Sequence, residues 1–292
     1  MRPFLIIVGL QKSGTTLLNR LVQEHGIARS IFKSEGNDFW GNEPPFAPDG
    51  YPLGKLYRRS GGDRGHEAGS GDATDEMRAI LSRRLAALDA GDDPIVNKNP
   101  YLTAGLPWVR ALFPEAVIVA MVRHPVANAF SLLKKQIPHA GHGLRPEDGW
   151  WGVKPAGWRD LVGDDKRLQC ARQWEAVNRL LLEHAARVDR VISYDALCAD
   201  PAGILRYVSQ CLRGQADLSL EVAPLTCLDR EYMTGSSLRS KNRHYKAAGG
   251  FAIPEGEKIE LPAWTGAEIA EVEASCEETW EKLRALTLAK PR

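Results

Sequence analysis

The N-terminal stretch restricts the fold more than any other part of the chain. Phe4-Leu5-Ile6-Ile7-Val8 is an apolar run of strand length that ends at Gly9, and Leu17, Leu18, Leu21 and Val22 then recur at helical spacing. Between the two stands Gly9-Leu10-Gln11-Lys12-Ser13-Gly14-Thr15-Thr16. A tight turn from strand into helix presents free backbone N–H groups and the helix dipole to whatever lies in front of it. Glycines let an anion approach the backbone, and hydroxyls at Ser13, Thr15 and Thr16 add donors, so the segment reads as an anion cradle. The nucleotide-triphosphatase pattern GxxxxGK[ST] is not met: Thr15 follows Gly14, and the lysine stands earlier, at Lys12. That favours a ligand with a shorter anionic chain and no obligate metal.

The rest of the chain continues the alternation. Short apolar strands are expected at Pro94-Ile95-Val96, Ala116 to Val122 and Arg190 to Ser193. Helices are expected from Thr74, over Leu106 to Phe113, from Pro125, through Leu168 to Leu181, over Ile204 to Leu212 and through Ile269 to Leu283. Alternating strands and helices predict an α/β three-layer sandwich with a central parallel sheet. No linker separates two cores, so residues 1–292 are expected to form a single domain. Two long irregular stretches, 30–73 and 138–165, interrupt the pattern. Their Trp40, Phe46, Trp150, Trp151 and Trp158 suit either an apolar acceptor wall or core packed beneath long loops.

Composition narrows the partners. A formal net charge of +1 provides no global field for nucleic acid or an anionic membrane, so any anion site must be local. The 5 cysteines show no CxxC pair and no zinc spacing, which fits reduced thiols and a cytoplasmic location. The N-terminal apolar run is broken at once by Gln11 and Lys12, and no stretch approaches the roughly 20 apolar residues of a membrane span.

A second anion site is legible at Met121-Val122-Arg123-His124-Pro125, with Ser131 on the helix that follows. An arginine at the carboxyl end of a strand, beside a helix N-terminus, can fork onto a phosphate; taken alone it could equally pair with a carboxylate. Gln11-Lys12-Ser13-Gly14-Thr15-Thr16 resembles the 5′-phosphosulfate loop of sulfotransferases that use 3′-phosphoadenosine-5′-phosphosulfate (PAPS), with Gln11 where proline is usual. Arg123, the proline two residues on and Ser131 are similar to that family's 3′-phosphate motif, and Ile192-Ser193-Tyr194-Asp195-Ala196-Leu197 looks like its adenine-side stretch. The likeness runs in ordered pieces from residue 4 to residue 210. It implies a P-loop NTPase-like sulfotransferase fold and transfer of a sulfuryl group from PAPS to a hydroxyl or amine, releasing PAP. Lys12, Ser13, Gly14, Thr15 and Thr16 would hold the 5′-phosphosulfate, Arg123 and Ser131 the 3′-phosphate, and Tyr194 would reach the adenine. A basic cluster holding Lys241 and Arg243 stands near the place of a loop that closes on the 3′-phosphate in the family; a solvated loop is the plain reading.

The general base is the open position. Val96-Asn97-Lys98-Asn99-Pro100 lacks both the histidine and the glutamate found in two branches of the family, and looks like the NKDP stretch of the tyrosylprotein branch. In that branch the base is a glutamate soon after the first helix, which points to Glu35, with Glu43 second. Lys98 would steady the sulfuryl oxygens or orient the acceptor; a salt bridge at the strand end is the plainer role. His66, His139 and His142 lie in the irregular stretches as further candidates. The acceptor, small molecule or peptide, is not legible, nor is the oligomeric state. Two other classes remain open: a small-molecule kinase using ATP, and a nucleotide-binding module without catalysis.

Overall fold

The computed structural model describes residues 3–32, 34–41, 45–46, 64–88, 91, 93–136, 149–214, 220–227, 231–239 and 258–288. In chain order they form β1 (Phe4–Val8), α1 (Thr15–Glu24), the short helix α2 (Asn37–Trp40), α3 (Asp75–Ala86), β2 (Ile95–Lys98), α4 (Leu106–Leu112), β3 (Val117–Val122) and α5 (Pro125–Gln136). There follow α6 (Lys166–Glu183), β4 (Arg190–Ser193), α7 (Tyr194–Ala199), α8 (Pro201–Arg213), the one-turn α9 (Glu231–Thr234), β5 (Ser236–Arg239), β6 (Lys258–Leu261) and α10 (Gly266–Leu288).

Strands β2-β1-β3-β4 form one parallel sheet in that order, with Ile7 abreast of Lys98, Val8 abreast of Ala120 and Val122 abreast of Ser193. Parallel strands need crossover helices, which cover both faces and force each strand to be apolar on both sides. All five residues of β1 are buried accordingly. Successive side chains point to opposite faces. Phe4, Ile6, Val8, Ile118, Ala120 and Val122 therefore enter one core with α3, α4, α5, α6 and α10, while Leu5, Ile7, Val119 and Met121 enter the other with α1, α7 and α8. Three layers result, as the alternation of elements predicted.

Local chemistry sets the helix ends. The Thr74 hydroxyl caps α3 by accepting from the Met77 N–H at 3.1 Å, and the Asp165 carboxylate caps α6 by accepting from Arg167 and Leu168. Pro125 and Pro201 open α5 and α8, and Gly214, at φ +66, closes α8.

The structure adds one strand the sequence pattern did not suggest and resolves one alternative it left open. Ser236–Arg239 is a strand paired antiparallel with β6. Its Ser-Ser-Leu-Arg has neither an apolar run nor a clean alternation, so only pairing reveals it. The aromatic residues resolve in favour of core: Trp40, Phe46, Trp150 and Trp158 are fully buried, and only Trp151 is part-buried. Phe46 is packed against the Arg84 guanidinium, 5.2 Å from its ring centroid. Phe46→Ala should therefore lower stability by about 3–5 kcal/mol in urea unfolding. An unchanged midpoint would return Phe46 to the acceptor wall.

Candidate functional site

The strand order reverses between β1 and β3, and the crevice at such a switch point is where open α/β sheets bind ligands. The chain leaves β1 through Gly9, at φ +129; a Cβ there would lie 2.2 Å from the Met121 carbonyl oxygen, so no side chain fits. The Gly9 N–H donates to Thr103 Oγ1 at 2.8 Å, and that hydroxyl donates to the Pro100 carbonyl at 2.6 Å. Lys12 then takes φ +73, and the Ser13 N–H closes the turn on the Leu10 carbonyl. Gly14, at φ +101, stands directly before α1 and has no side chain to cap it. A Cβ at Gly14 would come within 2.7 Å of the Tyr194 ring. The first N–H groups of α1 thus face the crevice uncapped.

Arg123 leaves β3 on the other side of the crevice. It is buried, its Nη1 donates to the Lys12 carbonyl at 3.2 Å, and its guanidinium lies 4.6 Å from the Tyr194 ring centroid. The Trp174 indole N–H donates to the Arg123 carbonyl at 3.0 Å, holding the strand end from behind. The structure therefore brings Lys12, Ser13, Gly14, Arg123 and Tyr194 together. Thr15 is buried in the first turn of α1 and Thr16 is exposed there, while Ser131 is part-buried on α5.

Two cations join this group that the sequence reading missed. Burial holds Lys12 below the usual lysine range, and the nearby Lys134 and Arg123 charges add to this, opposed by Glu231. Burial, with the Lys12 charge, lowers Lys135 to about 7. Lys134 pairs with Glu231 at 2.6 Å, and Lys135 lies 5.8 Å from the Trp151 ring centroid. Lys135 stands four residues after Ser131 on α5, a same-face spacing that was readable in advance. Like charges gathered in a partly dry crevice favour an anionic guest. The hydroxyl of Ser13, buried and without a protein partner, adds a donor with nothing to bond.

The second centre sits at the end of β2. Glu35 holds φ +64; it and Lys12 are the described non-glycine residues with positive φ, a conformation costing roughly 1–2 kcal/mol. Asn97 and Asn99 side chains hold it there, donating to the Glu35 carbonyl at 3.1 and 3.2 Å. Between them Lys98 forms an ion pair with the Glu35 carboxylate. Asn97 Oδ1 in turn accepts from the Trp40 indole at 3.0 Å. The salt-bridge role for Lys98 is thus the one observed, and its partner is the glutamate singled out as base. Since Lys98 is abreast of Ile7, this pair stands at the same carboxyl end of the sheet as the loop from Gly9 to Thr16.

Glu43, Lys241, Arg243, His139 and His142 lie outside the described residues. His66 is fully buried, and its Nδ1 accepts from the Lys154 N–H at 2.8 Å. A cavity of about 520 Å³ is lined by His124 and Asp195, the chain neighbours of Arg123 and Tyr194, with Cys198, Leu225, Cys227 and Tyr232 among others. Among the described residues no cluster of His, Cys, Asp and Glu is placed to hold a metal ion. Asn97→Ala, which orphans the Trp40 indole and loosens Glu35, should cost about 1–3 kcal/mol in thermal unfolding. A variant as stable as the parent would show that the clamp does not hold Glu35.

Comparison with known proteins identifies the family. A family model described as the sulfotransferase family matches residues 3–213. Protein-tyrosine sulfotransferase 1 of Danio rerio is 28% identical over 149 residues, 49% of this chain and 38% of that protein. The human protein of the same name is also 28% identical over 149 residues, and protein-tyrosine sulfotransferase A of Caenorhabditis elegans is 20% identical over 218 residues, 50% of its length. The chain thus spans half or less of the curated relatives it matches. A crystal structure of a Mycobacterium tuberculosis sulfotransferase aligns with 73% of this chain and 67% of its own, at 16% identity and a TM-score of 0.39. With a family match over most of its length, the chain belongs to the sulfotransferase family.

Proposed function

We propose that this protein moves a sulfuryl group from PAPS to a hydroxyl or amine by in-line displacement, releasing PAP. The observation that carries the reading is the loop from Gly9 to Thr15, bent through left-handed backbone at Lys12 and Gly14 and faced by Arg123. The residues present fit the donor: a Cβ-free approach at Gly14, an unpartnered Ser13 hydroxyl and a cluster of part-buried lysines beside the buried Arg123. PAPS, when bound, supplies the sulfuryl group and the PAP leaving group.

The chain's own groups then divide the work. Lys12 to Thr16 would hold the 5′-phosphosulfate, with Lys12 offsetting charge at the bridging oxygen. Arg123 and Ser131, joined by Lys135, would hold the 3′-phosphate. Tyr194 would meet the adenine, and the cavity beside it would take the adenosine. Glu35 would accept the acceptor's proton, with Lys98 and the two asparagines fixing its direction. Such transfer is catalysed mainly by positioning and electrostatic complementarity, which is what these groups supply. Lys241 and Arg243 remain part of the donor-side proposal. A cytoplasmic location and a single domain belong to it also; the scattered cysteines support the first, and two cores on one sheet support the second. Tyrosine peptides head the acceptor screen because the relatives are named protein-tyrosine sulfotransferases.

The first test compares thermal stabilisation by PAP with that by ATP and Mg²⁺. PAP at about 100 times its dissociation constant should add roughly 2.7 kcal/mol, and Arg123→Ala should remove it. Stabilisation by ATP and Mg²⁺ alone would overturn the donor assignment. PAP binding should also depend on pH. Lys135, near 7 in the free protein, gains a proton when an anion settles beside it, so affinity should fall as pH rises from about 6 to about 8. In the ligand-free protein the effect on stability has the opposite sign. The folded chain binds fewer protons at Lys135 than the unfolded chain, so this group's contribution improves with pH between about 7 and 10.5. Calorimetric titration of Lys135→Met should show a flatter pH profile for PAP; an unchanged profile would remove Lys135 from the site.

A further inference from the structure

Gln11 stands where the family's loop usually has proline, and the structure gives it an occupation. Its side chain is 7% exposed, and Oε1 accepts from the Val153 N–H at 3.2 Å. Gly152, at φ +101, runs so close that a Cβ there would sit 2.8 Å from the same oxygen. The Val153 carbonyl accepts from the Trp150 indole at 2.9 Å and from Gln173 Nε2 at 3.3 Å, and that Nε2 also donates to the Trp151 carbonyl at 2.9 Å. Gln173 Oε1 accepts from Gln136 Nε2 at 3.4 Å, at the end of α5 and next to Lys135. Residues 149–154 thus form a strap tied to the phosphate loop through Gln11 and to the cation cluster through Gln136 and the Lys135–Trp151 contact.

The far side of the strap is tied as well. His66 and Lys154 exchange two hydrogen bonds, His66 N–H to the Lys154 carbonyl at 2.7 Å and Lys154 N–H to His66 Nδ1 at 2.8 Å. The Ala156 N–H donates to Glu67 Oε1 at 2.6 Å. The two irregular stretches are therefore stitched to each other, and Gln11 ties the strap directly to the loop. The Gln11 Nε2 is buried without a protein partner, a desolvation cost that proline would not carry. The bond to the strap is what offsets it.

We propose that Gln11 is a positioning residue that couples occupancy of the phosphate loop to the order of the strap. An anion on Lys12 to Thr16 quiets the loop backbone; through Gln11 that restraint reaches Val153, and through the strap it reaches residues 64–67. The inference rests on the donor reading only for the identity of the anion.

Hydrogen exchange on the full chain tests it, with PAP and with inorganic sulfate as separate probes, in the parent and in Gln11→Met. In the parent, either anion should slow exchange across 149–154 by about fivefold, the effect of one ordinary hydrogen bond. In Gln11→Met the strap should exchange faster and lose its response to the anion, while the loop still responds. A merely structural Gln11 would raise exchange equally with and without anion. Gln11→Pro, the residue usual in the family, carries the same expectation and serves if the methionine variant fails to fold. Calorimetry on the same samples reports PAP binding independently. A chain that ignores PAP but tightens its strap with sulfate overturns the donor assignment and supports the coupling. A strap that responds to neither anion, or equally in the parent and the variants, overturns the coupling.

Discussion

Gly9 passes so near the Met121 carbonyl that the loop after β1 and the end of β3 share a single wall. That approach depends on the β1–β3 register, Val8 abreast of Ala120, and on the absence of a side chain at Gly9. From it follow the placement of Arg123 against the Lys12 carbonyl and of Tyr194 against Gly14. A one-residue slip would reverse every inward side chain of β1 and misplace the loop, so the two apolar cores enforce the geometry of a polar site.

Backbone strain is concentrated where the chemistry is expected. Lys12 and Glu35 both hold left-handed backbone, and neither is a residue type suited to it. Each is held by its surroundings: Lys12 by the Arg123 guanidinium on its carbonyl, Glu35 by the paired asparagine amides on its own. Outliers maintained in this way cluster at functional sites because the surrounding fold must over-determine them. The cations add a second stored cost. Lys134 and Arg123 disfavour the charge on Lys12, and Lys12 disfavours that on Lys135, with Glu231 a partial counterweight at Lys12. An anion beside them would relieve that repulsion.

Beyond the family's matched stretch, α9 and α10 contribute to the same framework. Val272, Cys276 and Leu283 of α10 enter the core with α5 and α6, and Glu231 reaches Lys134. Trp280 packs against Trp174, whose indole holds the Arg123 carbonyl. Arg123 and Lys134 are thus supported by elements late in the chain as well.

The sequence by itself determined the layers and the loop, because both depend on local patterns. Short continuous apolar runs alternating with helical patterns favour buried parallel strands, and a Gly-containing turn from a strand into a helix presents the helix's first N–H groups forward. It also singled out Lys12, Arg123, Tyr194, Glu35 and Lys98 one by one. Tertiary structure alone decided how they combine. That Lys98 would pair with Glu35, that two asparagines would grip its carbonyl, and that Gln11 would reach Val153 are contacts between residues far apart in the chain. The aromatic residues show the same divide: a tryptophan in an irregular stretch has the same sequence signature whether it lines a wall or fills a core. Burial is a property of what packs against it, and no local pattern carries that information.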